Sequence, residues 1–517
     1  MNYFEITTLD KLEQTAKSHP DSVAVKDPKG ELTWQQLQKK AYGIGGYLNR
    51  LIEQPVAFRG GTPVAILADK SCDLWATMLG VTYSGGFYVI LNPQQPAERL
   101  HKILEVLQPA LVLYEKAYAS AMEETEYRGK KEALEEVLEQ AGRTRGNCFD
   151  MDIIRDGIGR DTPLYGIFTS GSTGVPKCVL VSHGAVVDFI GHFTEIFGFT
   201  KEDVIANQAP FDFDVSVKDL YSGIMTGAKT VLIPREYFSQ PAKLMDYLCD
   251  EHVTSLTWAV SALCLISGLK GFDYRVPKDV KRVMFSGEVM PIRQLGIWQK
   301  NLPKAEFVNL YGPSEITCNC TYYRIKRTFE KDEALPLGEV FPGREVILLN
   351  EDGKRVIEKN ASGEICVMGE SLAIGYYHNP EQTEAHFVEY KREDNSICRM
   401  YKTGDVGRVG EDGQLYFAGR KDFQIKHMGH RIELEEIERG INANEDVTRS
   451  CCSYDQKRSR IYAYYTGIVD EKKLHRWLKE KLPLYMVPNR FVHVKAFELN
   501  KNGKIDRKVL HTLEVLE

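Results

Sequence analysis

The sequence predicts an α/β protein built as a large N-terminal domain of layered α/β subdomains, a small β-rich subdomain and a small α+β C-terminal domain. Three observations carry that expectation. Helical patterns alternate with short, continuously apolar β-rich runs through most of the first 330 residues. From about Gly338 the texture changes to short strands separated by glycine turns. The last hundred residues mix strand and helix patterns again. Alternation of helices with apolar strands is the pattern of a largely parallel sheet covered on both faces.

In chain order, KLEQTAKS reads as a helix, SVAVKD and TPVAIL as strands, LWATMLGVTYSG as a helix ending at glycine, and FYVILN as a buried strand. Between about Glu115 and Asp161 the composition becomes charged. There EETEYRGKKEALEEVLEQAG has a helical apolar period and reads as a solvent-facing helix in a peripheral insertion. Strand patterns return in TVLIP, SLTWAV, RVMFSG and FVNLYG. In the later region NEDGK and GEDGQ are hairpin signals between β-rich runs. The chain shows no internal repeat.

A chain of 517 residues exceeds what one hydrophobic core supports, so several domains are expected. With 43% hydrophobic and 27% charged residues it has the make-up of a folded globular protein. The net charge of −6 lacks the basic excess of a nucleic-acid binder. The run LTWAVSALCLISGL from Leu256 is too short for a membrane span and suits a buried helix. The N-terminus lacks the pattern of a secretory signal, and the eleven cysteines are scattered without zinc-site spacing. A cytoplasmic protein with reduced thiols and no membrane insertion is expected.

The chemistry begins at TSGSTGVPK, residues 169–177. Hydroxyls at Thr169, Ser170, Ser172 and Thr173 can donate to phosphate oxygens. Gly171 and Gly174 permit close backbone approach, and Lys177 adds charge. It is not a Walker loop, because Pro176 and Cys178 replace the glycine before the lysine and the hydroxyl residue after it. On composition alone it reads equally as a polar turn between two strands. Tyr311-Gly-Pro-Ser-Glu315 brings an aromatic face, a hydroxyl and a carboxylate together. Tyr401-Lys-Thr-Gly-Asp405 places an acid at a strand-end turn. Such an aromatic can stack on a base, and such a carboxylate can hold one magnesium ion while phosphates supply other ligands.

Taken in this order the motifs resemble those of the adenylate-forming family, over essentially the whole chain. The amino-acid-activating branch matches best, through FDFDVSVKDLY, SGEVMP, NLYGPSE, GEICVMG, YKTGD, GRKDFQIKHMGHRIELEEIE, LPLYMVP and NGKIDRK. Within it the pattern is most similar to the D-alanine–carrier protein ligases. The resemblance implies ATP-dependent adenylation of an amino acid, then transfer to the phosphopantetheine thiol of a carrier protein, with Mg²⁺ as cofactor and D-alanine as the best single substrate. Because the chain ends soon after NGKIDRK, the carrier is expected to be a separate protein.

Carried over position by position, the resemblance assigns Asp214 to the substrate ammonium, with Val215, Lys218, Ser286 and Cys318 lining the pocket. The loop Thr169, Ser170, Gly171, Ser172, Thr173, Gly174 and Lys177 covers the β- and γ-phosphates. Gly287, Asn309, Leu310, Tyr311, Gly312, Pro313 and Ser314 surround adenine and the α-phosphate, with Tyr311 stacking. Glu315 becomes the magnesium ligand, Asp405 the ribose contact, Arg420 a ribose and phosphate support, and Lys504 the catalytic lysine between carboxylate and α-phosphate. Asp422 becomes the hinge, dividing a core of residues 1–421 (β-rich part about 338–421) from a mobile domain of residues 422–517.

Two positions depart from the ligase pattern. Ser286 stands where cysteine is usual before GEV, and Lys218 where an apolar residue usually precedes the acid. On a helix Asp214 and Lys218 share a face and could pair. Otherwise Lys218 either snorkels to solvent or faces the pocket. A pocket-facing lysine would imply a free-standing peptide-synthesis enzyme for another, acidic or polar, amino acid. A nucleotide-binding regulator without catalysis would show damage at Lys504, Glu315 or Asp405, and all three are intact.

Overall fold

A computed structural model of the chain describes residues 6–52, 61–143, 148–171, 175–331, 333–456, 458–498, 505–513 and 515. Ser172, Thr173, Gly174 and Lys504 lie outside the described residues.

Two large sheets form the N-terminal core. In the first, Glu306–Tyr311, Arg282–Ser286, Ser255–Ala259, Val204–Asn207, Lys229–Leu232 and Val23–Asp27 run parallel in that spatial order. Antiparallel strands close both edges: Gly30–Thr33 on one side, Thr321–Arg324 and Glu339–Val340 on the other. In the second, Pro163–Thr169, Gly86–Leu91, Thr62–Leu67, Leu111–Tyr114 and Lys131–Ala133 are parallel. Lys177–Ser182 and Gly375–Tyr376 add antiparallel strands at one end. The largely parallel expectation holds, with antiparallel strands only at the margins.

Local sequence explains the helices between them. Thr7 and Thr33 each start a helix with a capping box, closed by Asp10 and Gln36. Ser71 and Ser182 cap the next helices, Cys72–Tyr83 and His183–Ile196, through their hydroxyls. The helix Val215–Thr226 is buried along nearly its whole length, between the two sheets. Its Tyr221 meets Trp75 edge-on at 5.3 Å, and its hydroxyl bonds the Tyr88 hydroxyl of the second sheet at 2.9 Å.

Two expectations need correction. The run from Leu256 is not one helix. Its first half is the strand Ser255–Ala259, because SLTWA is β-rich and buried on both faces, and the helix starts at Val260. The charged stretch after Glu115 is not a mere insertion. Lys131–Ala133 extends the second sheet, and helix Leu134–Arg143 buries Leu134, Val137 and Ala141 beneath its polar face. The NEDGK turn closes as a short hairpin, with Asn350 donating to the Lys354 carbonyl and Leu349 bridged antiparallel to Arg355, while the other edge of the strand before it pairs with Ser362–Gly369. GEDGQ joins paired strands, Ile397–Val409 and Leu415–Arg420.

The β-rich part is an antiparallel sheet of Arg344–Leu349, Ser362–Gly369, Ile397–Val409, Phe387–Lys391 and Leu415–Arg420. Glu339–Val340, expected to open it, belongs to the first large sheet. After Arg420 pairing with the core sheets stops. Gln424–His427 and His430–Glu433 form a hairpin of their own. A three-stranded sheet and two helices, Leu434–Asn442 and Glu471–Lys481, then enclose a separate core around Ile432, Ile437, Ile461, Leu474 and Leu478.

The Tyr88–Tyr221 pair ties the buried helix Val215–Thr226 to the second sheet, with both side chains buried. Replacing Tyr221 by Phe leaves the Tyr88 hydroxyl buried and unbonded, which costs roughly 1–3 kcal/mol. Urea unfolding of Tyr221→Phe is expected to show that loss as a lower midpoint with unchanged slope.

Candidate functional site

Open α/β sheets place their ligand crevice beyond the carboxyl ends of the strands. The first sheet does so here: Ser286 and Gly287 follow Arg282–Ser286, and Gly312 to Glu315 follow Glu306–Tyr311. Asp214 stands at the N-terminus of helix Val215–Thr226, a short loop beyond the end of Val204–Asn207. These separate sequence motifs converge because each follows the same end of one parallel sheet.

The phosphate-type loop joins the antiparallel strands Pro163–Thr169 and Lys177–Ser182, Thr169 facing Lys177. The flanking strands agree with the reading of this stretch as a turn between two strands. At Gly171 an added Cβ would stand 1.9 Å from the Val175 carbonyl oxygen, so the turn admits only glycine. The Ser170 hydroxyl donates to the Arg431 carbonyl (2.8 Å) and accepts from the Glu433 N–H (3.2 Å). The Lys177 ammonium donates to Gln382 Oε1 at 2.9 Å and lies 5.4 Å from the Tyr376 ring centre.

Glu315 is 1% exposed. Burial pushes its carboxyl upward, but Arg431 and the Tyr376 hydroxyl outweigh it and hold it at about 2. One Arg431 nitrogen donates to both carboxylate oxygens, at 2.8 and 2.9 Å, and the Tyr376 hydroxyl donates at 2.7 Å. Arg431 comes from the C-terminal hairpin, so that hairpin reaches into the crevice. Its turn packs on the core, with Phe213 and His430 ring centres 5.6 Å apart.

Asp405 is buried and accepts from the Tyr311 hydroxyl (2.6 Å) and from Arg420 (2.5 Å). Arg420 also grips Asp422 through two nitrogens, at 2.6 and 2.7 Å, so the expected hinge residue is tied to the expected ribose residue by one guanidinium. The face of the Tyr311 ring, expected to stack on a base, has the Lys426 ammonium 5.5 Å from its centre. Asn309 bonds the Pro336 carbonyl, and Leu310 is core. At Gly312 a Cβ would stand 2.5 Å from Asn319 Cα, which lets the loop after Glu315 fold back against the strand end. Pro313 precedes the short helical turn that carries Ser314 and Glu315.

The amino-acid end of the site is also assembled. Asp214 is 9% exposed and accepts from the Ser314 hydroxyl at 2.7 Å, while Cys318 Sγ donates to its backbone oxygen at 3.2 Å. Burial pushes the Asp214 carboxyl above its ordinary range. Val215 is buried beside it. Lys218 neither snorkels nor pairs with Asp214. It is 1% exposed, and its ammonium donates to Asn319 Oδ1 (2.8 Å) and Ser286 Oγ (3.3 Å). The helix one turn beyond Asp214 lies between the sheets, so there is no solvent for Lys218 to reach.

Sequence reasoning left Arg431, Tyr376, Asn319 and Lys426 without roles. Arg431 and Lys426 sit in the quoted stretch GRKDFQIKHMGHRIELEEIE, and Asn319 sits between Cys318 and Cys320. Proximity in sequence gave no sign of which partner each would meet.

A family model described as AMP-binding enzyme matches residues 12–377. The chain is 32% identical, over 98% of its length, to tyrocidine synthase 3 of Brevibacillus parabrevis, and spans 8% of that protein. It is 30% identical to the D-alanine–D-alanyl carrier protein ligase of Bacillus cereus, covering 97% of this chain and 98% of the relative. Its fold matches an artificially fused adenylation–PCP di-domain of a nonribosomal peptide synthetase from Klebsiella oxytoca. There the TM-score is 0.80 and the identity 20%, covering 95% of this chain and 94% of that one. With the family model covering residues 12–377 and the ligase relative matching nearly the whole chain, the chain belongs to the AMP-binding enzyme family, whose members form adenylates with ATP.

Proposed function

We propose that this chain is an AMP-forming ligase that adenylates an amino acid and passes it to the phosphopantetheine thiol of a carrier protein. The observation that carries the reading is Asp214, a buried carboxylate at the crevice whose side chain is met by one hydroxyl and no cation within ion-pair distance among the described residues. A buried carboxylate of that kind suits an α-ammonium group, which supplies the missing charge.

In the first step a carboxylate oxygen of the amino acid attacks the α-phosphorus of ATP. The new O–P bond forms as the bond to the bridging oxygen breaks and pyrophosphate leaves. The nucleophile is already an anion, so the demand is alignment and charge neutralisation rather than proton removal. Asp405 and Tyr311 hold the nucleoside, the 169–177 loop covers the departing phosphates, and Lys504 bridges carboxylate and α-phosphate. Glu315, a buried ionised carboxylate, is the donor type magnesium takes. Among the described residues no cluster of three or more acidic, histidine or cysteine ligands occurs, so phosphate oxygens and water would complete the shell. Bound there, the ion would neutralise phosphate charge. In the second step the thiol loses its proton and attacks the acyl carbon, forming the C–S bond and releasing AMP.

The Arg431–Glu315 bridge bears on the order of events. The carboxylate cannot be surrounded by a guanidinium and also be free for a metal, so the hairpin must withdraw before the nucleotide-bound state forms. The end of core pairing at Arg420 and the Arg420–Asp422 clasp support Asp422 as the hinge between residues 1–421 and 422–517. Such closure steps commonly limit turnover.

The ligase relative supports D-alanine as substrate. Burial of Lys218 against Ser286 and Asn319 supports the second reading, a free-standing enzyme for an acidic or polar amino acid. Consumption of ATP and a carrier thiol suits the cytoplasm. No helix among the described residues is long and apolar enough to cross a membrane.

Exchange of labelled pyrophosphate into ATP, dependent on an amino acid, is expected, and absence of exchange with every amino acid would refute the assignment. Lys504→Ala is expected to lower exchange by roughly 10²–10³-fold, the loss of one strong electrostatic donor.

The bridge also predicts a pH signature. With Glu315 at about 2 in the fold and 4.5 when free, its stabilisation is present in full above pH 4.5 and is lost as pH falls toward 2. Arg431→Met leaves burial to raise that carboxyl instead. The urea midpoints of wild type and variant are therefore expected to differ most near neutral pH and to converge as pH falls below 4.5.

A further inference from the structure

Lys218 is a buried cation held by neutral groups. Its ammonium carries three donors, of which two go to the neutral groups Ser286 Oγ and Asn319 Oδ1. Among the described residues no carboxylate lies within ion-pair distance of it. The nearest acids are engaged elsewhere: Asp214 with Ser314, and Asp219 with Asn207 at 3.0 Å. Asp219 follows Lys218 directly, so the helix turns the two side chains to different faces. A cation buried to 1% exposure without a counter-charge is costly, and proteins keep one where something supplies the opposite charge.

The position of this cation relative to Asp214 defines what can supply it. The two residues stand one helical turn apart on the same face, with Cβ atoms about 5–6 Å from each other. Among the described residues Asp214 has no cation, and Lys218 no carboxylate, within ion-pair distance. Ser286 and Cys318 are small side chains, and an added Cβ at Gly287 would touch nothing within 4 Å. We propose that the substrate is an amino acid with a side-chain carboxylate, of the aspartate and glutamate class. Its ammonium sits on Asp214, and its side-chain carboxylate takes the third donor of Lys218 together with the Ser286 hydroxyl.

The inference rests on the amino-acid adenylation reading. It differs from that reading in rejecting alanine, whose methyl group would lie against a charged ammonium and satisfy nothing. Sites built around buried polar groups exclude ligands that leave those groups unpaired far better than apolar pockets exclude a wrong size, by 10⁴-fold or more in favourable cases.

The test is pyrophosphate exchange by the intact chain with both enantiomers of alanine, aspartate, glutamate, asparagine and glutamine, for wild type and Lys218→Met. Wild type is expected to prefer an acidic amino acid over alanine by about 10²-fold or more in kcat/KM. Lys218→Met is expected to lose that preference and to gain on a neutral amino acid. Methionine is close to lysine in volume and removes a buried charge, so the variant should fold. Independently of turnover, the acidic amino acid is expected to raise the wild-type melting temperature and to leave that of Lys218→Met unchanged. Exchange with alanine and none with acidic amino acids overturns the inference while leaving the adenylation reading intact. So does acidic exchange that is equal in Lys218→Met. Exchange with no amino acid overturns both.

Discussion

The charge on Glu315 is the constraint around which the crevice is organised. A carboxylate at 1% exposure must be kept ionised by its surroundings or become neutral. Here Arg431 and Tyr376 keep it ionised, and each comes from a different part of the chain: Tyr376 from the end strand of the second sheet, Arg431 from the C-terminal hairpin. The ion pair therefore joins three structural units at one point. It also sets the Ser170 and Gly171 contacts, because Ser170 bonds the backbone of Arg431 and Glu433, and Arg439 of the following helix donates to the Gly171 carbonyl. A second interdomain ion pair, Arg99 with Glu436, backs this arrangement from the other side.

The same logic links Glu315 to the rest of the site. Asp405 is held by Arg420, whose other nitrogens grip Asp422 at the end of the core. Asp214 and Lys218, in contrast, are buried with no opposite charge within ion-pair distance among the described residues. The crevice thus contains one kind of charge satisfied by the protein and another left for a ligand. The first kind lies where the domains meet and would exchange partners during the cycle. The second kind lies beneath it, on a helix clamped between two sheets, and reads as a fixed template for the substrate.

Much of this was legible in sequence. Apolar strand runs such as FYVILN, FVNLYG and RVMFSG declare themselves because a strand buried on both faces needs no alternation. The capping residues of the helices are equally plain. Motifs named Asp214, Glu315, Asp405 and the 169–177 loop. The structure sets Asp214 and Glu315 beyond the strand ends of the first sheet, Asp405 in the β-rich sheet against Tyr311, and the strands flanking the loop in the second sheet. What sequence could not supply were pairings set by tertiary geometry. Lys218 looks like any lysine four residues after an acid until the helix is seen to be enclosed on all sides. Arg431 has no local signal for Glu315, 116 residues away. The run LTWAVSALCLISGL carried two readings, a strand in SLTWAV and a buried helix over its whole length, because a short apolar run is compatible with either period.

The central claim is that one carboxylate serves two masters in turn, the Arg431 guanidinium and the metal of the bound nucleotide. A crystal structure of the chain with magnesium and a non-hydrolysable ATP analogue tests it directly. The account predicts the ion on Glu315 with Arg431 withdrawn beyond bonding distance and the residues after Asp422 reoriented. Arg431 still on both oxygens of Glu315, with nucleotide and metal bound elsewhere in the crevice, would contradict it.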